Sequence, residues 1–434
     1  MALAKSKAGA DDGAPAVADA ASKLTSDYAT IGKLSLGVSV AVLLIALLPT
    51  VSLPVPYSGR LVAPMQPEAV ANQPSFPLSL PAGFANVQEL EVRPLLGTES
   101  VLGVETVVGK PDSQDITLLD RHGIMQQTWW YGQVSTPRRI GLIGRPLGSA
   151  YDSANLSARL VVCDSSGGLM RYDPATGTTE VLSNALPDGT PLHFVNDVSI
   201  STIDGKIYFS SATDQPVAFR GADELTGLAM PRLAKLLDAE GGYYDTMTAA
   251  KMSLVHGKSA GRLLVYDPRT KQTAVLLDGL LFANGVSLSP EEDFVLVCET
   301  YGARVHRYWL KGAKAGTHDI FVDRLPGYPD GISPREGGGY WLALVNPPSV
   351  LSWLAWSRAF RAAIAHVLPL VEPLVKKWGC VAKLGADGSK QALYMDPTGQ
   401  KVRSVTSVHQ QGRRLYLGNL MGSGISFVEL ADGE

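Results

Sequence analysis

A nine-residue segment occurs twice in this chain, and it constrains the fold more than any other feature of the sequence. Gly168-Leu169-Met170-Arg171-Tyr172-Asp173-Pro174-Ala175-Thr176 returns as Arg262-Leu263-Leu264-Val265-Tyr266-Asp267-Pro268-Arg269-Thr270, after Gly261. In each copy Asp-Pro sets a tight turn between two strands, because proline fixes φ and aspartate bonds the backbone just beyond it. A second pair, Phe194-Val195-Asn196-Asp197-Val198 and Phe282-Ala283-Asn284-Gly285-Val286, marks the start of a strand. Comparable starts occur at Glu99, Gly148, Asn196, Asn284, Asp330 and near Ser404, with intervals of 49, 48, 88, 46 and 74 residues. A propeller blade takes ~40–50 residues, so the two long intervals each hold a blade and an insertion. The insertions fall at residues 215–258 and 351–378, where strand alternation gives way to helix formers. Six starts predict an all-β chain folded as a six-bladed β-propeller over residues 84–434. Circular closure removes the exposed sheet edges that invite aggregation.

The rest of the chain divides by composition. Residues 1–33, rich in Ala, Gly, Ser and Asp at their start, read as a disordered tail. Residues 34–53 carry no charge and are long enough for a helix to cross ~30 Å of hydrocarbon. Lys23 and Lys33 precede this span and only Arg60 follows closely, so the tail is expected in the cytosol and the propeller on the lumenal or outer side, a type II arrangement. A cleaved signal and a buried core helix are the other readings of this segment. Residues 54–83 are proline-rich and read as a linker. The sequon at Asn155 would be a glycosylation site on a lumenal body. Residues 353–378 combine Trp353, Trp356 and Trp378 with Arg358, Arg361, Lys376 and Lys377, as in a helix at a membrane interface or a lid packed on the propeller. A net charge of −3 with mixed signs offers no basic stripe for nucleic acid. Cys163, Cys298 and Cys380 each stand in an apolar run and are expected to be buried thiols.

Four strand starts bear a polar side chain: Glu99, Asn196, Asn284 and Asp330. The innermost strands of a propeller run side by side around the channel, so these positions from different blades would meet in one ring. Two carboxylates and two amide carbonyls form a hard oxygen set suited to calcium (Ca2+), which takes 6–8 oxygen ligands. Without a cation the carboxylates would repel each other in a low-dielectric channel. Singly, each residue is also an ordinary turn residue. Only the recurrence in phase with the blades favours a metal site.

Residues 261–333 closely resemble the strictosidine synthase-like family, through GRLLVYDPRTKQTAVLLDGLLFANGVSLSPEEDFVLVCETYGARVHRYWLKGAKAGTHDIFVDRLPGYPDGIS. The likeness extends from GTES at 97–100, through GRPLG at 144–148 and HFVNDVSISTIDGKIYF, to RRLYLGNL near the C-terminus. Within the family it is most similar to the adipocyte plasma membrane-associated protein branch, whose single N-terminal span the apolar segment resembles. The resemblance implies a six-bladed propeller related to calcium-dependent lactonases and phosphotriesterases, with Glu99, Asn196, Asn284 and Asp330 at the metal positions. Two departures limit the activity it implies. The acid/base glutamate of true strictosidine synthase corresponds to Thr406, and the catalytic histidine of paraoxonases falls at Leu147, before Gly148. Many relatives also carry an aspartate in the stretch Ser210-Ser211-Ala212-Thr213.

The expected function is therefore a membrane-anchored, calcium-dependent hydrolase of esters or lactones, arylesterase-like, with Glu99 or Asp330 positioning the attacking water. The alternatives are a non-catalytic calcium-stabilised binding propeller and, disfavoured by Thr406, an amine–aldehyde condensation. None of the seven histidines falls at a blade start, His193 being nearest.

Overall fold

The computed structural model describes residues 144–152, 159–215, 217–219, 243–244, 246–347, 378–420 and 426–430, and the strand segments 88–89, 104–109, 116–120, 124–128 and 138–140. The chain is an all-β propeller. Among the described residues, strands form six four-stranded antiparallel sheets and one two-stranded ribbon. Each sheet runs outward from an inner strand. In chain order the inner strands are Val104–Gly109, Pro146–Asp152, Val195–Ile200, Ala283–Leu288, Pro329–Pro334 and Val405–Gln411, and each touches the next, the last touching the first. Five of the predicted starts (Gly148, Asn196, Asn284, Asp330 and Ser404) fall in or directly before an inner strand. The sixth, Glu99, lies outside the described residues, as do the segment at 34–53, Asn155 and residues 353–377.

Closure is made by the N-terminal end of the body. Gln88–Glu89 pairs antiparallel with Ser426–Glu429 and becomes the outer strand of the last sheet. The chain thus ties its two ends together by backbone hydrogen bonds, and the ring cannot open without breaking them.

Burial explains why the second strands read as unbroken apolar runs. Phe294–Glu299 is buried throughout. Phe294, Leu296 and Cys298 pack with Leu342 and Cys380 of the fifth sheet, while Val295 and Val297 pack with Leu263 and Val286 on the other side. The outer strand Gln272–Leu280 is mostly exposed and keeps a polar texture. The two repeated Asp-Pro turns lie where predicted, between third and outer strands. Asp173 Oδ1 accepts the Ala175 N–H at 2.9 Å, and Asp267 Oδ1 accepts that of Arg269 at 2.9 Å.

The insertion at 215–258 interrupts the third sheet between Ile207–Ser211 and Gly261–Asp267. Its described parts are the ribbon Ala218–Phe219 with Tyr243–Tyr244 and the helix Thr246–His256. No helix among the described residues is long and apolar enough to cross a membrane.

Candidate metal centre in the channel

Every inner strand begins with a β-bulge. The pairing register with the second strand breaks between Val104 and Thr106, Pro146 and Ser149, Val195 and Val198, Ala283 and Val286, Pro329 and Ile332, and Val405 and Ser407. A bulge frees backbone groups from the ladder and re-aims side chains. Here the bulged residues are Leu147-Gly148, Asn196-Asp197, Asn284-Gly285, Asp330-Gly331, Thr406 and, in the first sheet, Glu105. The second-strand residues opposite the four wider bulges are Cys163, Ser210, Cys298 and Ala343, all small. That is the structural place of two of the three cysteines, which are free and buried. Phe194, Phe282 and Ser404, each just before an inner strand, hold φ of 51°, 67° and 48°. The left-handed conformation is costly for bulky residues and persists only where surroundings enforce it.

These bulges bring Asn196, Asn284 and Asp330 to one end of the channel. Asn284 is buried, and its Nδ2 donates to Thr300 Oγ1 at 3.1 Å. The Thr300 hydroxyl donates in turn to the Pro329 carbonyl at 2.8 Å, so it can only accept from Asn284. This chain of bonds orients the amide, which also bonds the Asp330 carboxylate.

The carboxylate facing Asp330 among the described residues is Asp197, which sequence reasoning did not select; Glu99 was expected there. The Asp197 side chain reaches both neighbouring inner strands. Its Oδ2 accepts the Val286 N–H at 2.8 Å, and its Oδ1 would lie 2.1 Å from a β-carbon on Gly148. Its own N–H is held by Ser210 Oγ at 3.0 Å, so Ser210 supports the ring from behind. A signal was present: Asp197 stands where the other repeats have Gly285 and Gly331.

Burial pushes the Asp197 carboxyl up to about 7, opposed by the N–H groups of Val286 and Val198. Burial also raises Asp330 well above the usual carboxylate range, and the Asp197 charge raises it further, while Asn284 acts in the opposite sense. Two acids whose charges act on one another in a channel resist ionising together unless a cation joins them. Asn196, Asn284, Asp197 and Asp330 are all oxygen donors, and this set fits calcium. Among the described residues no three His, Cys, Asp or Glu groups cluster as a metal site.

The remaining candidates are placed as follows. Thr406 lies in the sixth sheet's bulge, with its carbonyl oxygen 2.6 Å from a β-carbon built on Gly331, so the absent glutamate is absent from the ring itself. His409 shares that inner strand but lies three residues on, about 10 Å along it, and burial lowers it to about 4. His193 is half-buried, and burial lowers it too, against the charge of Asp214.

A propeller whose inner strands open in bulged, oxygen-bearing turns defines a class, and the strictosidine synthase family pattern matches within it, at residues 241–313. The chain is 34% identical over 336 residues to the adipocyte plasma membrane-associated protein of Gallus gallus, covering 75% of this chain and 73% of that one. It is 29% identical over 292 residues to a strictosidine synthase-like protein of Arabidopsis thaliana, covering 66% and 69%. A solved luciferin-regenerating enzyme shares the fold, with a TM-score of 0.51 and 12% identity over 80% of this chain and 95% of that one. The chain belongs to the family of the adipocyte plasma membrane-associated proteins, among the strictosidine synthase-like propellers.

Proposed function

We propose that this chain is a membrane-anchored, six-bladed propeller that hydrolyses esters or lactones with calcium at the end of its channel. The observation that carries this reading is the half-buried pair Asp197 and Asp330 with the buried Asn196 and Asn284. Asn196, Asn284 and Asp330 would hold the ion, with Glu99 as the further donor that the family resemblance supplies. When bound there, calcium supplies Lewis-acid stabilisation of a substrate carbonyl and acidifies water. The chain's own contribution is proton handling and orientation. Asp197, the second carboxylate at this end of the channel, is the group offered as acceptor for the proton that the attacking water gives up. Asn284 is locked by Thr300 and stays aimed at Asp330.

Six blades are supported by six inner strands in mutual contact around the channel. The anchor at 34–53, the lumenal body and glycan at Asn155 belong to the same reading, and the relatives' name as membrane-associated proteins agrees with it. Protease treatment of sealed microsomes is expected to trim the tail and spare the propeller. Digestion of the propeller from the cytosolic side would reverse the orientation.

The activity test uses the purified full chain in detergent. Phenyl acetate hydrolysis is expected to require calcium and to fall at least ~100-fold in Asp330→Asn and in Glu99→Gln, the scale of losing an oxyanion-stabilising group. Condensation of tryptamine with an aldehyde is expected to be undetectable, because Thr406 cannot accept the proton that step releases. Hydrolysis that survives both chelation and Asp330→Asn would refute the metal mechanism. The absence of any turnover, with a calcium-dependent melting temperature, would favour a binding propeller.

A further inference from the structure

We infer that the helix Thr246–His256 is a lid over the metal end of the channel, and that Tyr301 and Arg145 are the positioning residues that hold it closed. The substrate consequence rests on the hydrolase reading above; the lid itself does not. Arg145 directly precedes the inner strand of the second sheet, and its Nη1 donates to Thr246 Oγ1 at the start of the helix. Tyr301 lies two residues beyond the second strand of the fourth sheet, and its hydroxyl donates to the Ala250 carbonyl at 2.7 Å, one turn on. The helix is therefore tied to the sheets on either side of the third, across the end that carries Asn196. Between the ties, Ala249 packs with Phe194, Ala212, Val217 and Phe282, and Leu147, Ala250 and Tyr301 border the same cluster. Phe194, Leu147 and Phe282 stand within two residues of the bulges of three adjacent sheets. Tyr301 also lies against Tyr328, ring centroids 5.8 Å apart, and close enough to Asp330 for that charge to raise its hydroxyl pKa.

The helix depends on tertiary contacts of this kind. An 11-residue helix is marginal in isolation. Its described buried positions, Thr246, Ala249, Ser253 and His256, recur at helical spacing. The Arg145 and Tyr301 hydrogen bonds add to the apolar packing that docks the helix. A short helical insertion can open locally at a free energy below that of global unfolding. With the lid closed, small acyl and aryl groups reach the ring more readily than bulky ones.

Hydrogen exchange by mass spectrometry on the full chain tests the lid without turnover. In Tyr301→Phe the ring stays and the tie is lost, and the helix amides are expected to exchange about three- to tenfold faster, the effect of one neutral hydrogen bond on an opening equilibrium. Thr246→Val removes the other tie and should act alike, while the strand amides and the calcium-induced shift in melting temperature stay unchanged. In both variants kcat/KM for 2-naphthyl butyrate should rise relative to that for phenyl acetate by a similar factor. Unchanged helix exchange in both variants would overturn the lid. An equal fall in kcat/KM for both esters would reduce the ties to mere support. Faster helix exchange with no ester turned over would refute the hydrolase reading and the size selection with it, and leave the lid standing.

Discussion

Calcium is expected to raise the melting temperature of this propeller by about 5 °C at pH 8 and by much less at pH 5. The size follows from mass action: at 100 times its dissociation constant a native-state ligand contributes about 2.7 kcal/mol, and a kcal/mol moves a large domain by roughly 2 °C. The pH dependence follows from these two half-buried acids, Asp197 and Asp330. Asp197 has its native pKa raised to about 7 and Asp330 is raised as well, so without a cation the native state holds protons that the unfolded chain releases near pH 4. That contribution to stability is complete below about pH 4 and is lost as the pH rises through about 7. Calcium needs the ionised carboxylates, so its own contribution grows over the same interval. The chelated protein should therefore lose stability from pH 5 to pH 8, and the calcium-loaded protein should lose much less. Asp330→Asn should abolish the calcium response and, with one of two facing charges removed, flatten the pH dependence of the chelated protein. Differential scanning calorimetry over this range decides the matter. Parallel curves with and without chelator would mean that these acids hold no ion.

Gly285→Ala is expected to be among the most damaging single substitutions in the described body, at about 3 kcal/mol or more, as for severe overpacking. A β-carbon at Gly285 would stand 2.2 Å from the Asp330 carbonyl oxygen and 2.8 Å from both Gly331 Cα and Ile332 N. All three obstacles are backbone, so the inner strands of the fourth and fifth sheets would have to separate just where the oxygen donors converge. Gly279→Ala supplies the contrast. It has nothing within 4 Å and a φ of +81°, so only the left-handed conformation is penalised, at about 1 kcal/mol. Chemical denaturation of both variants should separate the cost of space from the cost of conformation. The Gly285 variant should also bind calcium more weakly, and near-wild-type stability there would contradict the close approach of the two strands.

Much of this architecture is legible in the sequence because its determinants are local. Tyr172-Asp173-Pro174 and Tyr266-Asp267-Pro268 announce turns by their own chemistry. Asn284-Gly285 and Asp330-Gly331 mark strand starts by their turn-forming dipeptides, and the blade period then places such starts together. The buried thiols follow from apolar runs, although only the register shows that Cys163 and Cys298 sit opposite bulges, where small volume is needed. Three features were decided by the tertiary structure. The last sheet is completed by Gln88–Glu89, whose partner lies at the far end of the chain. The helix Thr246–His256 lies over the channel because Arg145 and Tyr301 meet it from two different sheets. Asp197 becomes the carboxylate opposed to Asp330 because ring closure sets it between Gly148 and the Val286 N–H. A side chain's electrostatic partners in a closed ring come from neighbouring blades, so its ionisation depends on contacts that no local stretch of sequence contains.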